Sequence, residues 1–233
     1  MTWQSCLAES IREFNRSPSK KPLLPGGYHS GYFTYDPARA VVWRSIGKYL
    51  QRFIDADQAL LDLGAGYGEC SRFLNARRKW ALDTNPELAR YWPSDVTPVI
   101  QSALDPLPFE DASLGTVVTS NFFEHFEIGE CQQILSEAAR VLVHGGRLVA
   151  ILPNFRLQPF RYFNDYTHKT PFTDLGFAGL LKSNGWNVVH SEPRFLPFSM
   201  KSRLPKWSWI VGLYLALPCR PLAGQFLLIA EAP

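Results

Sequence analysis

The sequence predicts an α/β fold in which a mostly parallel sheet is covered by helices on both faces. Three observations carry this. Short apolar runs alternate with helix-patterned segments from residue 59 to residue 231, the order that builds a parallel sheet through crossover helices. The first of those runs ends in a glycine-rich turn that leads into a helix. The chain of 233 residues is 46% hydrophobic and 19% charged, an ordinary globular balance with enough apolar side chains to cover a sheet twice.

Residues 1–36 read as a short helix, a Pro-, Ser- and Lys-rich linker and a glycine- and aromatic-rich loop. Tyr28, Tyr32 and Tyr35 in that loop fit either a lid over a ligand or packing against the core. Asp36 before Pro37 is a helix start, and Val41, Ile46, Tyr49, Leu50 and Phe53 keep helical spacing through Phe53. Strands are expected at Ala59–Leu63, Trp80–Asp83, Val96–Ile100, Gly115–Ser120, Arg147–Leu152, Trp186–Ser191 and Phe226–Glu231. Helices are expected at Glu69–Ala76, Pro86–Tyr91, Glu130–Val141 and Thr173–Asn184, with Gly185 as the stop of the last. Residues 37–233 thus form one domain. Two excursions, 155–171 and 192–224, fall outside the alternation, and long excursions in a compact α/β domain usually serve function.

Composition excludes several classes. A net charge of +3, from 24 basic and 21 acidic residues, gives no field for nucleic acid. The four cysteines stand far apart with no CxxC pair, which argues for free thiols in a reducing compartment and against a structural metal. No apolar run reaches the roughly 18–20 residues of a membrane span, and Glu9, Arg12 and Glu13 sit where an export signal would be apolar. These features place the chain in the cytoplasm.

The stretch LLDLGAGYGEC carries the first chemistry. Leu60, Leu61 and Leu63 are strand residues, Asp62 lies near the strand's carboxyl end, and Gly64, Gly66 and Gly68 make the turn. Glycines let the chain reverse and its backbone approach a ligand closer than a Cβ permits. Asp83 ends the next strand 19 residues after Gly64, where a carboxylate can accept hydrogen bonds from both hydroxyls of a ribose. A dinucleotide fingerprint needs a third glycine where Glu69 stands, and no tyrosine has a lysine four residues later, so a dehydrogenase is disfavoured.

LLDLGAGYGEC, then ALDTNP, then LPFEDASLGTVVTSNFFEH, then VLVHGGRLVAILPN resembles the ordered motif series of class I S-adenosylmethionine-dependent methyltransferases, over residues 59 to about 154. The resemblance implies a Rossmann-like seven-stranded, mostly parallel sheet with a final antiparallel strand, and S-adenosyl-L-methionine as cofactor. It places the methionine portion at Asp62 and the backbone of Gly64, Ala65, Gly66 and Gly68, and the ribose at Asp83 and Thr84. The adenine falls against Ser102, Ala103 and Leu104. Many relatives carry an aspartate where this chain has Ser102, so either Ser102 serves or Asp105 reaches in. Asn121 would lie beside the transferred methyl.

For the acceptor, the residues offer candidates. A hydroxyl must lose its proton, and His168, His125 and Glu124 are placed to take it. His125 equally suits bracing the loop after the fourth strand, and His168 a structural hydrogen bond in its polar turn. Arg39 fits either the cofactor carboxylate or a solvated surface. Ser120–Phe123 lacks the prolines of amide and adenine methylases, and no carboxylate spacing suggests a catechol-type metal site. Residues 194–220 join Arg194, Lys201, Arg203, Lys206 and Arg220 to Trp207, Trp209 and an apolar run. That mixture suits peripheral contact with the inner membrane face, or a helix packed on the last strands. The region also resembles bacterial surface-polysaccharide-associated methyltransferases, which implies a glycan hydroxyl as acceptor; the alternatives are a small-metabolite methyltransferase and a non-catalytic methyltransferase-like binding module.

Overall fold

The computed structural model describes Asp36, residues 39–197 and residues 208–233. The chain divides into two compact units, Met1–Thr34 and Tyr35–Pro233, and every element described belongs to the second. The expected tyrosine lid, with Tyr28 and Tyr32, lies outside the described residues, as do Lys201, Arg203, Lys206 and Trp207.

In chain order the elements are α1 (Arg39–Leu50), a 3-10 turn (Gln51–Phe53), β1 (Ala59–Leu63), α2 (Glu69–Arg72), β2 (Arg78–Asp83), a 3-10 helix (Pro86–Tyr91), β3 (Val96–Ile100) and β4 (Leu114–Ser120). A 3-10 turn (Phe123–His125), α3 (Ile128–Val141), β5 (Leu142–Pro153), α4 (Pro159–Tyr162), α5 (Asp174–Ser183), β6 (Asn187–Glu192), α6 (Ser208–Ala216) and β7 (Gln225–Glu231) follow. The seven strands form one sheet in the order β3-β2-β1-β4-β5-β7-β6. All pairings are parallel except those of β7, which runs antiparallel to both β5 and β6. This is the Rossmann-like sheet the sequence predicts.

Burial explains the patterning. Every residue of β1 is buried, as a central strand covered on both faces requires. Its side chains alternate between two cores: Ala59, Leu61 and Leu63 join α3 and α5 through Ile134, Leu135, Ala138, Phe177 and Leu181, while Leu60 joins α1 and α6 through Trp43, Ile46, Leu50 and Leu215. β3 is an edge strand, and Pro98 sits there exposed, where its missing N–H costs no inner ladder bond.

Three departures from expectation exceed a residue or two at a boundary. α2 stops at Arg72 rather than continuing to Ala76, because the Gln51 side chain takes both backbone groups of Asn75 and turns the chain toward β2. β5 begins five residues early, at Leu142, with Gly145 at φ +74° absorbing the irregularity. Residues 159–162 coil into α4, a turn started by Pro159. The apolar run of the second excursion forms α6 with one face buried through Leu215 and the other open through Trp209 and Leu213. Among the described residues no helix is long and apolar enough to cross a membrane.

Candidate functional site

The parallel sheet sends the carboxyl ends of β1, β2, β3 and β4 to one edge, where open α/β sheets bind their ligands. At the end of β1 the turn holds Gly64, Gly66 and Gly68 at φ of +73°, +53° and +70°. A Cβ on Gly64 would lie 2.2 Å from the Phe122 ring, and one on Gly68 would lie 2.6 Å from the Trp92 ring. Gly64 and Ala65 donate their N–H groups to the Leu82 carbonyl at 2.9 and 3.0 Å, fastening the turn to the end of β2. Asp83 completes the junction: its two carboxylate oxygens accept the N–H groups of Gly66 and Asn85, each at 3.0 Å. Trp92 donates its indole N–H to the Gly66 carbonyl at 2.8 Å and forms one wall of the turn.

Asp62 is buried beneath this loop, 2% exposed, and accepts the Ser71 N–H at 2.9 Å. Burial raises its carboxyl from 3.8 to about 7, against the pull of Ser71 and helped by the charges of Glu69 and Asp83. Glu69, at the position where a dinucleotide binder keeps glycine, is buried and paired with Arg39 Nε at 2.6 Å. Arg39 is therefore neither a solvated surface residue nor held apart from the loop; it neutralises Glu69.

The remaining expected cofactor residues gather around the same edge. Thr84 is exposed between Asp83 and Asn85. Gln101 N–H bonds the Asp83 carbonyl at 3.2 Å, bringing the end of β3 beside that of β2. There the Ser102 hydroxyl accepts the Leu104 N–H at 3.1 Å in a tight turn with Ala103 buried and Asp105 exposed. Asn121 follows β4 at φ +51°, and its side-chain oxygen accepts the Gln225 amide at 2.6 Å. Left-handed backbone of this kind suits asparagine better than most residues.

A second group assembles three residues further on. The carbonyl of Glu124 accepts the N–H groups of Lys169 and Thr170 at 2.8 and 3.2 Å, and Thr170 Oγ1 donates to the Phe126 carbonyl at 2.7 Å. These bonds sew the first excursion to the turn after β4. They bring His168 beside His125, with ring centroids 5.1 Å apart. His125 Nδ1 lies 2.9 Å from Thr167 Oγ1, which donates to Asp165 at 2.6 Å. His168 Nε2 stands 3.8 Å from Asp165 and 4.0 Å from Glu124. The Glu124 side chain is fully buried. Burial lifts its carboxyl to about 8, with the charge of Asp165 adding to the effect. Burial also lowers both imidazoles, so each is more readily neutral than a free histidine.

The cluster unites the three candidates Glu124, His125 and His168. Sequence reasoning took Asp165 and Thr167 only as polar-turn neighbours of His168 and not as part of a site, although an aspartate two residues before a threonine in a turn is a signal for the Asx-type bond seen here. It missed Trp92 and Phe122 as walls of the glycine turn, for which the sequence carries no local mark.

Residues 61–150 match the family described as a methyltransferase domain. A search among curated proteins returns no match. Among solved structures the chain is similar to the PH0226 protein from Pyrococcus horikoshii OT3 (TM-score 0.64, 18% identity, covering 88% of this chain and 98% of that one). It is also similar to a SAM-dependent methyltransferase from Archaeoglobus fulgidus (TM-score 0.60, 21% identity, 81% and 94% covered). An S-adenosylmethionine-dependent methyltransferase from Mesorhizobium loti shows the same likeness (TM-score 0.61, 14% identity, 80% and 97% covered). At these identities the structural likeness speaks for the fold, while the domain match falls on the segment with the glycine turn, Asp83 and Asn121. The resemblance to polysaccharide-associated methyltransferases gains no support from these matches.

Proposed function

We propose that the chain is a class I S-adenosylmethionine-dependent methyltransferase that methylates a hydroxyl group on a sugar or lipid-linked glycan. The cofactor fits the residues present: a glycine turn with no room for side chains, flanked by carboxylates at the ends of β1 and β2. Asp62 with the backbone of Gly64–Gly68 would hold the methionine portion, Asp83 and Thr84 the ribose, and Ser102–Leu104 the adenine. When bound, the cofactor supplies a sulfonium-activated methyl group.

The protein's own work is to hold the acceptor and manage one proton. The observation that carries the hydroxyl reading is the titratable cluster of Glu124, His125, Asp165 and His168 placed just past Asn121. A neutral buried imidazole can accept the hydroxyl proton as the acceptor oxygen becomes a nucleophile. Asp165, 3.8 Å from His168, would then balance the imidazolium. The Asp165–Thr167–His125 chain fixes the second ring, which suits His125 to positioning.

The glycan and lipid reading is supported by the surface around this cluster. Phe160, Phe163 and Tyr166 are 96%, 54% and 68% exposed, large apolar rings offered to solvent by the same excursion that carries His168. On α6 and just after it the outward residues are Trp209, Leu213 and Leu217, an apolar face that suits peripheral contact with a bilayer. Incubating the protein with methyl-labelled cofactor and glycan or lipid extracts tests the proposal. Label in a base-stable ether of a carbohydrate is expected; label confined to small soluble amines would reject it.

A further inference from the structure

The Glu124 side chain is fully buried, and neither of its carboxylate oxygens meets a hydrogen-bond donor among the described residues. His168 Nδ1 is likewise buried with no partner. Burying a carboxylate this way is costly unless something compensates it, and the nearby backbone N–H groups of Phe122 and Glu124 offset only part of that cost. The closest approach between the two side chains, His168 Nε2 to Glu124 at 4.0 Å, is too long for a hydrogen bond. One ligand atom from each of Glu124, His125 and His168 lies within 4.8 Å of the other two, and Asp165 is 3.8 Å from His168 Nε2.

Those separations have a simple meaning. Bonds of about 2.0–2.2 Å from a shared ion to imidazole nitrogen and carboxylate oxygen set ligand atoms about 3.4 Å apart around a tetrahedral centre. At no more than 4.8 Å apart, the present ligand atoms exceed that spacing by about 1.4 Å at most, a gap on the scale of a side-chain rotation. The backbone is already fixed, since the Glu124 carbonyl bonds Lys169 and Thr170 and so ties the two ligand-bearing segments together. The bond between Thr167 and His125 orients the second imidazole from behind, as outer partners of metal ligands do.

We infer that Glu124, His125 and His168 form a binding site for a divalent transition-metal ion of the zinc or manganese type. Two imidazoles and a carboxylate are the donor set that suits such ions, and three protein ligands leave a coordination position open. The binding itself depends only on these side chains. Its catalytic meaning rests on the proposed reaction: an ion with an open position lowers the pKa of a bound hydroxyl, so in the metal-bound protein the ion would replace the imidazole as the activating group and the proton would pass to solvent, while the metal-free protein would rely on His168 as base.

The test uses untagged full-length protein, freed of metal with a chelator and titrated with Mn2+ or Co2+ in a non-coordinating buffer, without cofactor or acceptor. Calorimetry is expected to show one ion per chain, and Co2+ to give visible d–d absorption of an imidazole-containing site. Glu124→Gln and His168→Gln should each weaken binding by more than the roughly 10–100-fold that outer partners cost, whereas His144→Ala, an exposed histidine elsewhere, should leave it unchanged. Glu124→Gln replaces a buried carboxyl that has no side-chain partner with a neutral amide of the same shape, so in metal-free protein it should melt close to wild type, which guards against misfolding as the cause. Absence of a 1:1 transition, as expected if a water molecule fills the gap, or equal binding by both Gln variants, overturns the inference. Either result leaves the methyl-transfer reading standing, because neither assay contains cofactor.

Discussion

Replacing Asp62 with Asn removes an ionisable group from the floor of the glycine turn while keeping an oxygen to accept the Ser71 N–H. Asp62 is 2% exposed, and its carboxyl is raised from 3.8 to about 7 in the fold. Because the folded value lies above the unfolded one, the carboxyl's contribution to stability is complete below about 3.8 and is lost as the pH rises through about 7. At about 1.4 kcal/mol per tenfold in proton affinity, the full loss is about 4 kcal/mol, an upper figure that relaxation and water entry reduce. In a domain of this size it corresponds to a melting-temperature difference on the order of 10 °C. Thermal melts of cofactor-free wild type and Asp62→Asn across this range should coincide most closely at the acid end, with the variant gaining steadily until about pH 8. A difference that stays constant with pH would refute the burial argument. Binding of the cationic cofactor beside Asp62 favours the ionised carboxylate, so wild-type affinity should rise over the same interval.

Gly68→Ala combines a positive φ with a Cβ 2.6 Å from Trp92, and chemical denaturation should show a loss of about 2–4 kcal/mol together with weaker cofactor binding. Glu192 accepts hydrogen bonds from Tyr49, His190 and Arg220, and Arg220 is 8% exposed; Glu192→Ala should cost about 3–5 kcal/mol by leaving that arginine buried and unpaired. A variant indistinguishable from wild type would show the network to be dispensable. Leu213→Ala with Leu217→Ala should reduce co-sedimentation with anionic vesicles while leaving the melting temperature nearly unchanged, since the two side chains are 58% and 40% exposed; wild type that fails to pellet would remove the membrane contact.

The fold was legible because its central strands obey one rule. Ala59–Leu63 is an apolar run closed by glycine, and it forms a fully buried strand with those bounds; Val96–Ile100 agrees as well. The antiparallel end was foreseen only through family resemblance, because nothing in Phe226–Glu231 states its direction. Where the sequence misled, distant side chains intervened: Gln51 ends α2 at Arg72 from 24 residues away, and no local pattern could report it. The glycine turn and the carboxylates at the proposed cofactor edge were readable because such residues announce themselves by type and spacing. Arg39 was harder, since its partner Glu69 is identified by folding rather than by proximity in sequence. The cluster at Glu124 lay between these cases. Its histidines were visible as candidates, but the meeting of His168 with residues 124–125 depends on backbone bonds from Lys169 and Thr170, contacts that only the folded excursion creates.

The most direct test is calorimetric titration of the purified chain with S-adenosylmethionine, S-adenosylhomocysteine and NAD, in wild type and in Asp83→Ala. Asp83 receives the Gly66 and Asn85 N–H groups at the junction of β1 and β2, so its loss should remove binding of both adenosyl ligands that wild type takes up at one site per chain. Binding of NAD alone, or adenosyl binding unchanged by Asp83→Ala, would contradict the assignment of this edge as the cofactor cradle.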